Sequence, residues 1–237
     1  MEPYILDQTD NYAVVFKPPR MHSISNKKGL NGSIAAHDTL FDWYTALYPL
    51  LMDCGGGLLH RLDYETQGLM LFAKNKRSLD YLLSLQEQGK FIKEYYAVCC
   101  KAAVDSSFPP SPVSAESLQK NCIIESYFRP YGPGRKQVRP VMKADHKKWE
   151  IAQDRGNYYR TEVINIEKSA ENGQIGLTLN LKRGFRHQIR CHLAWTGCPV
   201  LNDPLYGEKT GDEYLALKST GLIFNDPENN KLKEYHL

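Results

Sequence analysis

Apolar runs of strand length, rather than helix length, dominate this 237-residue chain, and they are not spaced as a parallel sheet requires. Residues 12–17, YAVVFK, predict a buried strand stopped by Pro18-Pro19. Leu69 to Ala73 and residues 91–100, FIKEYYAVCC, predict two more. Residues 158–168 and 174–182 alternate or run apolar, and Glu171-Asn172-Gly173 fits between them as a hairpin turn. Helical patterns are few. One is capped by Asp38, carries Leu40, Tyr44 and Leu47 on one face, and ends before Pro49. A second opens at Asn75 or Ser78, shows Leu79, Leu82 and Leu83 at helical spacing, and closes near Gly89. A third spans 187–196, closed by Gly197 with Pro199 just beyond. A doubly wound parallel sheet needs regular strand–helix alternation. The irregular order predicts an α+β fold instead, with a mixed, mainly antiparallel sheet flanked by helices and loops.

The length suits one large domain or two small ones. The Pro/Ser segment 106–114 could pass for a linker, but its flanks do not read as separate domains, so a single domain over 1–237 is expected. No run of 18 apolar residues exists, so no transmembrane helix is expected. The first twenty residues carry three acids before any lysine and lack an unbroken apolar stretch, unlike a secretory signal. None of the six cysteines forms a C-x-x-C pair, which points to reduced thiols in the cytoplasm rather than a zinc ribbon or disulfide framework.

The net charge of +3 says little, but its distribution says more. Residues 129–160 hold nine Arg and Lys against three Asp and Glu, so the rest of the chain carries an acidic excess. Tyr131, Trp149, Tyr158 and Tyr159 lie inside this basic insert. Cations release counterions from phosphates and aromatic rings stack on bases, so the segment is a candidate RNA-binding surface. The plain alternative is a solvated loop.

Two further segments are polar where a core would not need them to be. His60-Arg61-Leu62-Asp63, followed by Thr66 and Gly68, precedes an apolar strand. A carboxylate at a strand mouth can serve as nucleophile or base, and Arg61 could compensate it or grip a phosphate. The alternative is a turn in which Asp63 and Thr66 bond backbone amides. In residues 182–193, KRGFRHQIRCHL, Arg186 and Arg190 are four apart at the start of a helix. Like charges there, opposing the macrodipole, cost a few tenths to about 1 kcal/mol. Such a face calls for an anion, either a carboxylate such as Asp63 or a nucleic-acid phosphate. A zinc site from His187, Cys191, His192 and Cys198 is disfavoured, because His192 turns away from the others and the arginines would crowd a cation.

These residues resemble an RluA-type pseudouridine synthase. The family's H-R-L-D-x-x-T-S-G appears as HRLDYETQG at 60–68, with Gln67 for serine. Its strand and K-P-x-G loop is similar to FKPPRMHS at 16–23, and its K-x-Y-x-A-x-V strand to KEYYAV at 93–98. Its G-R-x-H-Q-I-R-x-H-L helix resembles GFRHQIRCHL at 184–193, with Phe185 for arginine. A G-x-P-I-x-G-D-x-L-Y-G loop resembles GCPVLNDPLYG at 197–207, and LALKSTGLIFNDP closes the pattern at 215–227, with Lys218 for histidine. The resemblance implies a pseudouridine synthase catalytic fold with a central cleft and no N-terminal S4 domain. The implied enzyme is an isomerase that needs neither metal nor cofactor and converts specific uridines of ribosomal or transfer RNA, and a monomer is the default expectation.

It also implies roles. Asp63 is the essential aspartate, acting on the ribose as nucleophile or base. Tyr95 stacks on the uracil, and Arg190 pairs with the aspartate. Arg61 helps expel the uridine. His60, Thr66, Arg186, His187 and Gln188 complete the expected substrate-binding set. Extruding a nucleotide costs a few kcal/mol of unstacking, which an arginine plane can offset. A non-catalytic RNA-binding or chaperone protein on the same scaffold is the alternative function, and a metal-dependent hydrolase a second.

Overall fold

The computed structural model describes residues 1–24, 39–48, 57–143, 157–168, 173–208 and 213–237. Ten strands and three helices occur among them: β1 (Tyr4–Gln8), β2 (Tyr12–Lys17), α1 (Leu40–Leu47), β3 (Gln67–Ala73), α2 (Lys76–Glu87), β4 (Ile92–Cys100), β5 (Ile123–Tyr131), β6 (Gln137–Val141), β7 (Tyr159–Lys168), β8 (Gln174–Leu181), α3 (Gln188–Trp195), β9 (Leu217–Asn225) and β10 (Leu232–His236). The chain divides into two compact units, residues 1–93 with 218–237, and residues 94–217.

In the first unit the strand order is β1-β2-β3-β9, with β10 paired to β9. β2 is buried throughout, as an unbroken apolar run should be, and runs antiparallel to β3 from Tyr12↔Ala73 to Lys17↔Gly68. β1–β2 and β9–β10 are also antiparallel. Only Gln67↔Lys218 and Gly68↔Ser219 join β3 to β9, in parallel. Asn75 caps α2, its side chain accepting from the Ser78 amide, and α2 lays Leu82 and Leu85 on a core of Tyr12, Leu71, Phe91, Leu222 and Phe224.

Gly68 is a tight point of this unit. Its φ is +124°, and a Cβ there would overlap the backbone of Ser219. Strain and overpacking together should make Gly68→Ala cost about 3 kcal/mol or more. Gly173→Ala, at φ +67° with nothing within 4 Å, should lose only about 1–2 kcal/mol. Urea midpoints of the two variants check the contrast.

In the second unit the order is β4-β8-β7-β5-β6. The β5–β6, β5–β7 and β7–β8 pairs are antiparallel. α3 carries Cys191 into a cluster with Phe128, Val138 and Tyr159, against which Phe108, Phe185 and Tyr206 pack. The α+β class and mainly antiparallel sheet therefore hold.

Several local expectations change. The α1 cap is Thr39, whose side chain accepts from the Asp42 amide, and Asp38 lies outside the described residues. Leu47 is 52% exposed and Leu83 is exposed as well, so each helix buries a narrower stripe than its apolar spacing suggested. The basic insert contains the end of β5, all of β6 and the start of β7, with residues 144–156 outside the described set. Within the turn expected at 171–173, only Gly173 is described.

Candidate active site

Asp63 sits on a turn closed by the Thr66 amide donating to the Asp63 carbonyl at 3.2 Å. Three groups hold the loop around it. Ser23 Oγ donates to the Leu62 carbonyl at 2.8 Å and accepts from the Leu62 amide at 3.0 Å, fixing the residue before Asp63 from both sides. Lys17, fully buried, donates from Nζ to the carbonyls of Pro18 and Met21 at 2.9 and 2.7 Å, and reaches the Tyr64 carbonyl at 3.5 Å. Burial pulls the Lys17 ammonium down to about 8, against the opposing pull of Asp63 and Glu65. It therefore stays mostly charged at neutral pH, a fixed cation beside the aspartate loop.

His60 is the third. The Leu59 amide donates to the Leu71 carbonyl, and the Leu71 amide in turn donates to His60 Nε2 at 3.3 Å. The imidazole stands in for a backbone acceptor and extends the pairing along β3. Burial, with Lys93 nearby, lowers its pKa to about 3, so it is neutral at physiological pH and anchors the loop. Thr66 is buried, and its Oγ1 has no partner among the described residues. Arg61 is exposed.

In the second unit Tyr95 is buried on the same face of β4 as Ala97 and Cys99. The adjacent Lys93, buried with its ammonium 5.3 Å from the Phe91 ring, is pushed down to about 8 by desolvation.

The anion for the basic helix face is Asp203. Arg190 and Asp203 are both 0% exposed and form a bidentate pair, Nε to Oδ2 at 2.8 Å and Nη2 to Oδ1 at 2.7 Å. Asp203 Oδ1 also accepts from the amides of Leu205 and Tyr206, so it orients both the arginine and its own loop.

Arg186 precedes the helix rather than sharing a face with Arg190, and its Nη2 donates to the carbonyls of Arg135 and Gln137. Gln188, expected to bind substrate, is 2% exposed with its amide committed inside the protein. It accepts from the Phe185 amide and donates to the Arg160 carbonyl and Thr161 Oγ1. His187 caps α3 at φ +56°, its Nδ1 3.2 Å from the Tyr206 hydroxyl. Phe185, where a family arginine would stand, stacks on Phe128 at 5.0 Å and belongs to the core.

Two donors of the zinc alternative are committed inside the core. His192 places Nε2 3.0 Å from Ser126 Oγ and Nδ1 2.9 Å from Thr161 Oγ1, and Cys191 Sγ donates to the Val138 carbonyl. Burial lowers His192 to about 3. The unfolded imidazole titrates near 6.5 while the folded one stays neutral, so its stabilising contribution is complete above that pH and is lost as pH falls. Moving from pH 6.5 to 5 should cost about 2 kcal/mol through this residue. Urea denaturation at both pH values should show the drop, and His192→Gln should remove this residue's share while leaving that of His60.

The HRLD turn of the first unit and the buried arginine–aspartate pair of the second each fall in a block that resembles the pseudouridine synthase class. The comparisons agree: residues 11–195 match the family described as RNA pseudouridylate synthase, and the chain belongs to that family. It is 24% identical to ribosomal large subunit pseudouridine synthase D of Haemophilus ducreyi over 98% of this chain and 66% of that protein. It is 28% identical to an uncharacterized RNA pseudouridine synthase of Bacillus subtilis over 98% of this chain and 71% of that one. It spans about half of two Buchnera aphidicola relatives, 53% and 46%. Human RNA pseudouridylate synthase domain containing 1 shares the fold, with a TM-score of 0.66 and 18% identity, over 100% of this chain and 83% of that one.

The sequence reading assigned no role to Lys17, Ser23, Lys93 or Asp203. Each lies inside a motif block, and only Lys17 carries a local signal, a charged residue closing an apolar run.

Proposed function

We propose that this chain is an RNA pseudouridine synthase. The reaction breaks the uridine N1–C1′ bond, turns the uracil and joins C5 to C1′. The proton on C5 is lost and N1 ends protonated, so no atom is gained or lost overall. Asp63 acts on the ribose, Tyr95 packs on the extruded uracil and Arg61 helps expel the nucleotide, while Arg190 is held by Asp203. Ribosomal or transfer RNA is the substrate, and the protein works as a cytoplasmic monomer with residues 1–237 forming one catalytic domain. Among the described residues no helix is long and apolar enough to cross a membrane.

The observation that carries this reading is the rigidity of the Asp63 loop. Buried Ser23 and Lys17, with half-buried His60, are polar groups spent on holding the Asp63 loop, a cost that a surface turn would not need. The test is tritium release from RNA labelled at uridine C5, run with purified protein and either ribosomal or transfer RNA, with and without EDTA. Release that persists in the chelator is expected. Binding without release would favour the chaperone alternative, and release abolished by EDTA would favour metal chemistry.

A further inference from the structure

A cavity of about 540 Å³ opens in the second unit beside the tip of the β5–β6 hairpin, lined by Asp105, Tyr131, the 132–134 turn, Lys136, Arg139 and Leu205. Its size is that of a small-ligand site. Arg139 is buried within it, its guanidinium 4.1 Å from the Tyr131 ring centroid and 4.2 Å from that of Phe108. Nε donates to Ser107 Oγ and Nη1 to the Val138 carbonyl. Arg129 lies 5.6 Å from the centroid of the same Tyr131 ring. The turn leaves the mouth open, since a Cβ at Gly132 would meet nothing within 4 Å.

One anion stands at this cationic, aromatic mouth. Asp105 is 59% exposed in its side chain and touches Arg139 Nη2 only at 3.4 Å. Its Oδ1 accepts from the Ser107 amide at 2.8 Å, and that bond holds the carboxyl below its usual range. The carboxylate thus stays ionised with lone pairs to spare.

We propose that this cavity binds an unpaired guanine of the RNA, outside the position of the reacting uridine. The base stacks on Tyr131, as bases do on aromatic platforms. Its N1–H and N2–H₂ donate side by side to the Asp105 carboxylate, a pairing no other base offers. Lys136 and Arg129 take the flanking phosphates. The proposal extends the RNA reading above and rests on it for the class of ligand.

The test is fluorescence anisotropy with labelled single-stranded nonamers: nine adenosines, the same strand with a central guanosine, and the same with a central inosine, which keeps N1–H but lacks the amino group. The wild type should bind the guanosine strand at least about fivefold tighter than the adenosine strand, the lower end of what a bidentate base contact discriminates. The inosine strand should fall between. Asp105→Asn should bring the ratio to about one. Tyr131→Ala should weaken the guanosine strand at least about fivefold, and Tyr131→Phe should restore it. Equal binding of the three strands by the wild type, or unchanged binding in Tyr131→Ala, overturns the site. Tritium release on long RNA reads the proposed function separately. Release without guanine preference sinks this site alone, and guanine preference without release sinks only the isomerase reading.

Discussion

Asp63→Asn is expected to reduce tritium release by at least about 10³-fold, equivalent to roughly 4 kcal/mol of transition-state stabilisation. The substitution is isosteric and leaves the loop's own bonds in place. The Thr66 amide bonds the Asp63 carbonyl, not its carboxylate, and Ser23 holds Leu62. The fold should therefore survive, as a cooperative urea transition would show. RNA affinity should stay within a few-fold of wild type, since removing a negative charge does not weaken attraction to phosphate. The amide can neither attack C1′ nor remove a ribose proton, which is why the loss falls on turnover alone. Turnover near wild type would sink the assignment of Asp63, and lost binding together with lost turnover would make the residue a structural one.

Asp203→Asn should have the second-largest effect, on stability. It removes the bidentate carboxylate partner of the Arg190 guanidinium, which is buried at 0% exposure. Breaking a buried pair from one side costs about 3–5 kcal/mol, a large share of the roughly 5–15 kcal/mol that holds a domain together. The asparagine oxygen can still accept from the Leu205 and Tyr206 amides, so the loss belongs to the charge rather than to the loop. Arg190→Met in the Asp203→Asn background should recover part of it, because the buried cation is then gone. A cost below about 1 kcal/mol for the single variant, or strictly additive effects in the pair, would show that the two residues do not depend on each other.

The strands at 12–17, 69–73, 91–100, 158–168 and 174–182 were legible because burial on one or both faces leaves a period-two or unbroken apolar signature. β5 and β6 were hidden because their sequences, IIESYFRPY and QVRPV, interleave arginine and proline with apolar residues. Charge counting assigns such a stretch to solvent. Arg139 shows the error in miniature, since a residue counted toward an RNA-binding surface is buried between rings. At the site, Asp63 and Arg190 could be named from motif chemistry, but Asp203 could not be matched to Arg190. Thirteen residues separate them, and helical periodicity reaches only one turn. His60 was expected among the substrate-binding residues, and it also holds its own loop. That it does so by replacing a main-chain carbonyl depends on where Leu71 lies, which no local pattern states.

The first unit is built from both ends of the sequence, with residues 218–237 completing what residues 1–93 begin. Leu222 and Phe224 are core residues there, beside Tyr12 and Phe91. During synthesis the N-terminal strands therefore leave the ribosome long before the partner that seals them. Contacts of such high sequence separation are slow to form, and they leave apolar strand edges uncovered meanwhile. The second unit is contiguous and can fold while the first waits. A nascent chain halted near residue 217 should thus be a chaperone client whose protease sensitivity lies in its first 93 residues, although those were made first.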